Sequence, residues 1–422
     1  MKTTNCHRLL LAISSMLCCS TPAAASMVGG SQPRKFMASD AAAGDHFGRH
    51  VEIEGDLALV GAVYDDDKGL ESGSAYLFNV ATGQELHKLT ASDGAPNDVF
   101  GWTLALDGGV ALIGAPFDGG PAGLSIGSAY LFDAVTGQQQ FKLTASDGAH
   151  GDLFGAHVAL DGGRALVGAY HDDDRGMDSG SAYLFDAATG RQLRKITPAD
   201  GAAGDSFGAY VAMADGLALI GSVYDDAKGL DSGSAYVFDA ATGQQLSKLT
   251  ADDGAPGDRF GYSVAISDGV VLVGAAADDD NGDGSGSAYL FDVATGRQLF
   301  KLTANDGAAG DQFGHYLAMW DGLALIGAIY SDAIGIDSGS AYLFDVDTGQ
   351  QLAKLTASDG AANNYFGSSV AIDGGVGLVG AFGSDGNGTR SGSVYVFHLV
   401  PEPSSMLMAA MAISVLAFRA IW

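Results

Sequence analysis

Apolar and polar positions follow one repeating order along almost the whole chain. In the first full copy, Phe47, Val51 and Ile53 fall on one side of a period-two pattern, as in a half-buried strand. Glu54-Gly55-Asp56 has the chemistry of a tight hairpin turn. Leu57 to Ala62 is almost continuously apolar and predicts a fully buried second strand. A polar loop from Asp65 to Ser72 leads to a third strand, Ser74 to Phe78. Ala81-Thr82-Gly83-Gln84 turns the chain, Glu85 to Thr90 gives a fourth strand, and the Gly- and Asp-rich stretch Ala91 to Asp98 leads into the next copy.

A Phe-Gly pair marks each copy, at Phe47, Phe100, Phe154, Phe207, Phe260, Phe313 and Phe366, 53 or 54 residues apart. Each Phe is followed 14 residues later by Gly-Ala or a near variant, from Gly61-Ala62 to Gly380-Ala381, and then by a run like Gly73-Ser74-Ala75-Tyr76-Leu77-Phe78. Seven units of four antiparallel strands predict an all-β fold, a seven-bladed β-propeller. The 3.6-residue period of a helical solenoid is missing, and the coils of a β-solenoid are usually shorter than this unit. The last unit stops after its third strand, Ser393 to Phe397, while Lys35-Phe36-Met37-Ala38-Ser39-Asp40 matches the fourth-strand run Lys88 to Asp93. The N-terminal strand is therefore expected to complete the last blade and leave the ring without a free sheet edge.

The propeller should occupy residues 35–398, after a linker at 26–34. Residues 1–25 read as a secretion signal, with Lys2 and Arg8, an apolar run from Leu9 to Leu17 and a small-residue site at Ala23-Ala24-Ala25. Cys6, Cys18 and Cys19 all lie inside it, so the processed chain would hold no disulfide and no thiolate site. At the other end, residues 399–422 form a separate tail: Pro401-Glu402-Pro403, an apolar stretch from Met406 to Phe418, and Arg419. Thirteen helical residues span only about 20 Å, short of a bilayer core. The tail resembles the PEP-CTERM sorting signal of Gram-negative bacteria. That resemblance implies only transient membrane contact, processing by an exosortase-type enzyme, and residence at the cell surface or in the extracellular matrix. A retained anchor is the alternative.

The formal net charge is −29. Nucleic acid and anionic membrane surfaces are disfavoured as partners, since binding either needs a cationic footprint. The same charge serves solubility.

The order Phe-Gly, Gly-Ala(-Pro), Gly-Ser-Ala-Tyr-Leu-Phe resembles the FG-GAP repeat, as in the integrin α-subunit propeller; Gly114-Ala115-Pro116 carries the full second element. The resemblance covers Lys35 to Phe397 and implies a seven-bladed extracellular propeller used in adhesion or ligand binding, often with calcium. The family's Asp-x-Asp-x-Asp-Gly calcium loop lies between Phe-Gly and Gly-Ala-Pro. Here that interval holds only short turns such as Glu54-Gly55-Asp56, too few oxygens for calcium. Acidic residues cluster instead in the loop after Gly-Ala. Asp278, Asp280 and Asp283, Asp65 and Asp67, and Asp172 and Asp174 are the candidate calcium ligands there; solvated, turn-capping aspartates are the alternative. Strand alternation puts these loops and the blade-to-blade linkers on one face, predicted to be loop-rich and acidic, with a plainer opposite face. Tyr64, Tyr170, His171, Tyr224 and Tyr330 enter the same loops as candidates for contact with an extracellular polysaccharide or a surface protein, or as strand-end packing.

His50 and His157 share the repeat position three after Phe, expected on the channel wall, where the other copies carry Thr103, Tyr210, Ser263, Tyr316 and Ser369. Two histidines in seven copies do not make a catalytic set. Phe78 to Leu86 resembles a segment of pyrroloquinoline-quinone propellers, but the Trp those repeats carry in the following strand is missing. The expected function is therefore non-catalytic: an exported binding, adhesion or scaffolding propeller. A propeller enzyme, hydrolase or quinone-dependent dehydrogenase, with its site at the channel mouth is one alternative. A purely structural biofilm-matrix protein is the other.

Overall fold

A computed structural model describes residues 33–119 and 125–399. The segments expected to be a secretion signal (1–25) and a sorting tail (399–422, apart from Leu399), with nearly all of the linker, lie outside these residues. Among the described residues, twenty-eight strands, β1 to β28 in chain order, form seven four-stranded antiparallel sheets. Blade 1 holds β2 (Phe47–Glu54), β3 (Leu57–Ala62), β4 (Ser74–Asn79) and β5 (Glu85–Leu89), paired in that order. Strands β6 to β25, from Leu104 to Leu355, repeat the plan in blades 2 to 6. Blade 7 is built from both ends of the chain: its order is β1 (Arg34–Phe36), β28 (Ser393–His398), β27 (Val376–Ala381), β26 (Val370–Asp373). Arg34, Lys35 and Phe36 pair with Val396, Tyr395 and Val394. Phe36, 2% exposed, also stacks on Phe78 of blade 1 at 5.1 Å, so the closing strand joins two blades by packing as well as by hydrogen bonds.

The repeat motifs are explained by contacts between blades. Each marker Phe is buried and meets two rings of its own third strand edge-on; Phe47 lies 5.6 Å from Tyr76 and 5.7 Å from Phe78. That cluster packs on Val394 and Val396 of blade 7. The glycines of the two motifs touch across blade borders. A Cβ on Gly61 would sit 2.3 Å from the carbonyl oxygen of Gly101, and one on Gly380 would sit 2.1 Å from that of Gly48, which closes the circle. Any side chain there would force adjacent blades apart.

The loop between the second and third strands of each blade is stitched to the linker of the next. The Val99 and Phe100 amides donate to Glu71 and Ser72, and the His46 and Phe47 amides donate to Arg390 and Ser391 at the closing junction. The residue before every marker Phe is left-handed, from His46 (φ 56°) and Val99 (φ 54°) to Tyr365 (φ 55°). For a β-branched residue such as Val99 that conformation is strained, and the clasp holds it in place. As anticipated, loops and linkers share one face and short turns occupy the other.

Candidate functional site

The loop aspartates converge on an ammonium group supplied by the chain itself. In blade 1, Lys88 on β5 reaches Asp40 of the preceding linker at 2.7 Å, and Asp65 and Asp67 of the loop at 2.9 and 2.6 Å. Ser74 and Tyr76 on β4 complete the cluster: Ser74 donates to Asp65, and the Tyr76 hydroxyl lies 2.9 Å from Asp40 and 3.1 Å from Asp65. The Lys88 ammonium also lies 5.3 Å from the Tyr76 ring centroid. The same constellation recurs around the ring, at Lys142 with Asp93 and Asp118, Lys195 with Asp147, Asp172 and Asp174, Lys248 with Asp200 and Asp225, and Lys301 with Asp253, Asp278 and Asp280. In blade 6 the loop aspartate is replaced by Ser331 and Lys354 keeps Asp306; in blade 7 Lys35, on the closing strand, pairs with Asp359 and bonds Ser384.

The electrostatics follow from this geometry. Burial alone would raise the Asp40 and Asp172 carboxyls, but hydrogen bonds from lysine and tyrosine outweigh it and hold both below the usual range. Burial would likewise ease a proton off Lys88 and Lys195, yet their carboxylate partners raise both. These loops therefore do not fit calcium as they stand. Asp40, Asp65 and Asp67 could converge on an ion, but Lys88 already occupies the point between them. Asp65, Asp67, Asp172, Asp174, Asp278 and Asp280 are clamp residues, and Asp283 is an exposed loop residue whose backbone carbonyl accepts from Gly310.

The candidate rings stand on the loop face but are spread over blades 1, 3, 4 and 6 rather than gathered in one pocket. Tyr64, His171, Tyr224 and Tyr330 share the repeat position just before the loop aspartate or serine, with Phe117 in blade 2. Tyr64 packs on His46 and Tyr330 on Tyr365, Arg259 lies over Tyr224, and Tyr170 meets His171 edge-on. Tyr224 and Tyr330 remain more than a third exposed. Around them the loops project Leu70, Met177, Leu230 and Ile336, each 63% exposed or more.

At the ring centre the expected channel position holds: His50, His157, Tyr210, Ser263 and Tyr316 line a cavity of about 200 Å³. Its loop-side end carries Arg49, which donates to the Tyr316 hydroxyl at 3.1 Å and stacks on Trp102 and Phe382. Tyr262 and His315 complete this belt, 3.3 Å apart between hydroxyl and Nε2. Burial holds the imidazoles neutral at ordinary pH, lowering His157 to about 4 and His315 to about 3. The opposite face is less plain than its short turns suggest. Glu54, Asp161 and Asp373 accept backbone amides of the next blade's turn, from Gly108, Gly216 and Gly55, and Asp107 stands in the same row with its carboxyl raised by burial and by Glu54.

A closed ring of seven four-stranded antiparallel sheets, with its loops stitched blade to blade on one face, defines a seven-bladed β-propeller. The FG-GAP repeat is matched seven times, at residues 31–78, 84–132, 138–185, 191–238, 244–291, 297–344 and 350–397, and the chain belongs to that family. No curated protein matches the chain.

Proposed function

We propose that this protein is an exported, non-catalytic propeller that binds or scaffolds at the bacterial surface or in the extracellular matrix through its loop-rich face. One observation carries the reading. The loop face gathers exposed Tyr224 and Tyr330 with the apolar tips Leu70, Met177, Leu230 and Ile336, on loops that backbone clasps tie to the next linker and that a lysine holds in every blade but the sixth. Exposed rings and apolar tips on a rigid support suit a partner met over a broad area. The acidic charge around them favours a neutral or basic partner, an extracellular polysaccharide or a surface protein, over an anionic one. The Pro401-Glu402-Pro403 tail supports handling by an exosortase-type enzyme and only transient contact with the membrane.

The test uses full-length protein secreted by a Gram-negative host. Binding to the host's purified exopolysaccharide and to its outer-surface proteins is compared for the wild type, for Tyr224→Ala/Tyr330→Ala, and for Val135→Ser on the opposite face. Binding to either class that falls at least about tenfold only in the loop-face variant supports the reading. Equal binding by all three proteins, or none, refutes it and leaves the purely structural matrix reading.

A further inference from the structure

Glu52 breaks the sevenfold symmetry of the channel wall. It lies five residues after the marker Phe, where the other six blades carry Ala105, Ala159, Ala212, Ala265, Ala318 and Ala371. In near-identical repeats a single carboxylate among six alanines needs a reason of its own. Glu52 faces the central cavity with these alanines, and its side chain has no hydrogen-bond or ion-pair partner among the described residues. An unpaired carboxylate at the centre of the ring is costly, and burial pushes its carboxyl up to about 8. His50, two residues earlier on the same strand, lines the same cavity, is 4% exposed, and has an Nδ1 with no partner. Tyr210 and Tyr316 present rings to the same space.

We propose that this shaft binds a slender organic ammonium ion, a primary amine on an alkyl chain, which enters through the turn-side mouth and pairs with Glu52. Every part of the cavity suits that class. The turn-side ends of the same inner strands carry Glu54, Asp107, Asp161 and Asp373, each two residues beyond the cavity-lining position, and their charge attracts a cation and repels anions. No lysine or arginine lines the cavity, so nothing internal neutralises Glu52. Arg49 stands at the loop-side end, already bonded to Tyr316 and stacked on Trp102, so entry is from the acidic end. Inside, the ammonium hydrogens meet Glu52 oxygens and the His50 lone pair, with tyrosine rings for cation–π contact. The alanine wall covers the alkyl chain. A divalent metal fits poorly, because no set of three ligand atoms converges in the cavity among the described residues, whereas one does around Lys88. The site lies in the central cavity and shares no residue with the loop-face surface, so the two readings stand or fall separately.

The test is calorimetric titration of the full chain, in amine-free buffer, with 1,5-diaminopentane, with Nα-acetyl-lysine amide, and with calcium. The wild type is expected to bind at least one amine at a single site. Glu52→Ala, which copies the other six blades, and Glu52→Gln are each expected to weaken that binding at least tenfold while folding normally. Asp373→Asn at the rim should weaken it only two- to threefold. Absence of saturable amine binding to the wild type at millimolar concentration overturns the proposal. So does equal affinity in Glu52→Ala, or a heat signature with calcium that also depends on Glu52.

Discussion

Replacing Lys195 with methionine tests the clamp at one of the three copies in which the lysine joins three carboxylates. The substitution keeps an unbranched apolar stem, one atom shorter, but removes the charge that Asp147, Asp172 and Asp174 share at 2.9, 2.9 and 2.5 Å. Asp147 and Asp174 are about half exposed, and each loses only about 0–1 kcal/mol of pairing. Asp172 is 5% exposed and keeps only hydrogen bonds from Ser181, Tyr183 and the Asp174 amide. Stranding a fully buried charge costs about 3–5 kcal/mol. Lys195 is 17% exposed and water can reach the gap, so we expect about 2–3 kcal/mol, plus about 0.5 kcal/mol for the lost contact with the Tyr183 ring. The assay is the denaturant midpoint at unchanged m-value. Adding Asp172→Ser, the residue type that blade 6 carries as Ser331, should return most of the loss because no buried carboxylate then remains. The sign with pH follows from the lowered Asp172 carboxyl: its contribution is present above the unfolded value near 3.9 and fades as pH falls through the folded one. The Lys195→Met penalty should therefore shrink in acid. A penalty under about 0.5 kcal/mol at pH 7, or a double variant less stable than the single one, would refute the reasoning.

Three further outcomes are expected. Removing residues 34–40, or replacing Phe36 with alanine at a cost of about 3–4 kcal/mol, should lower the melting temperature markedly; an unchanged value would mean that the closing strand is dispensable. Gly168→Ala would put a methyl 2.0 Å from the Gly208 carbonyl oxygen and should cost more than about 2 kcal/mol in chemical denaturation, whereas Gly162→Ala, with open space around it but a left-handed φ of 54°, should cost only about 1. Burial raises the Asp258 carboxyl despite its bond from the Ala255 amide, so the charged form opposes folding at neutral pH and that cost disappears as pH falls through the raised value. Asp258→Asn, which copies Asn364 of blade 7, should melt higher than wild type at pH 7 and equal to it in acid; a lower midpoint at pH 7 would contradict this.

The ring was legible because its determinants are periodic. Phe47 and its six equivalents, the paired glycines and the Lys35–Asp40 match each recur at fixed spacing, and the structure uses each at a blade border or at the closure. The site was less legible because its parts come from segments far apart in sequence. Asp40, Asp65 and Lys88 lie in a linker, a loop and an edge strand, and attention to runs of aspartate left out the lysine that joins them. A sequence signal existed: lysine recurs at one position in every fourth strand, and tyrosine at one position in every third. The place of Arg49 was not legible in the sequence, because strict strand alternation sends it to the side opposite His50. The register shift between Phe47 and Val51 inserts extra residues, and Arg49 reaches Tyr316 and Trp102 at the channel mouth. Glu52 was visible as a departure from the alanine consensus, but its meaning depends on six neighbours that only the closed ring assembles.

The central claim is that this propeller is locked by its own lysines, with no bound cation needed to hold its acidic loops. The most direct test is the thermal midpoint of the full chain, measured in chelator and again in millimolar calcium at fixed ionic strength. Coincident transitions are expected, because an ammonium group already stands among two or three carboxylates in blades 1 to 5 and pairs with the linker carboxylate in blades 6 and 7. A midpoint several degrees higher in calcium would contradict it, since a ligand stabilises only the state that binds it.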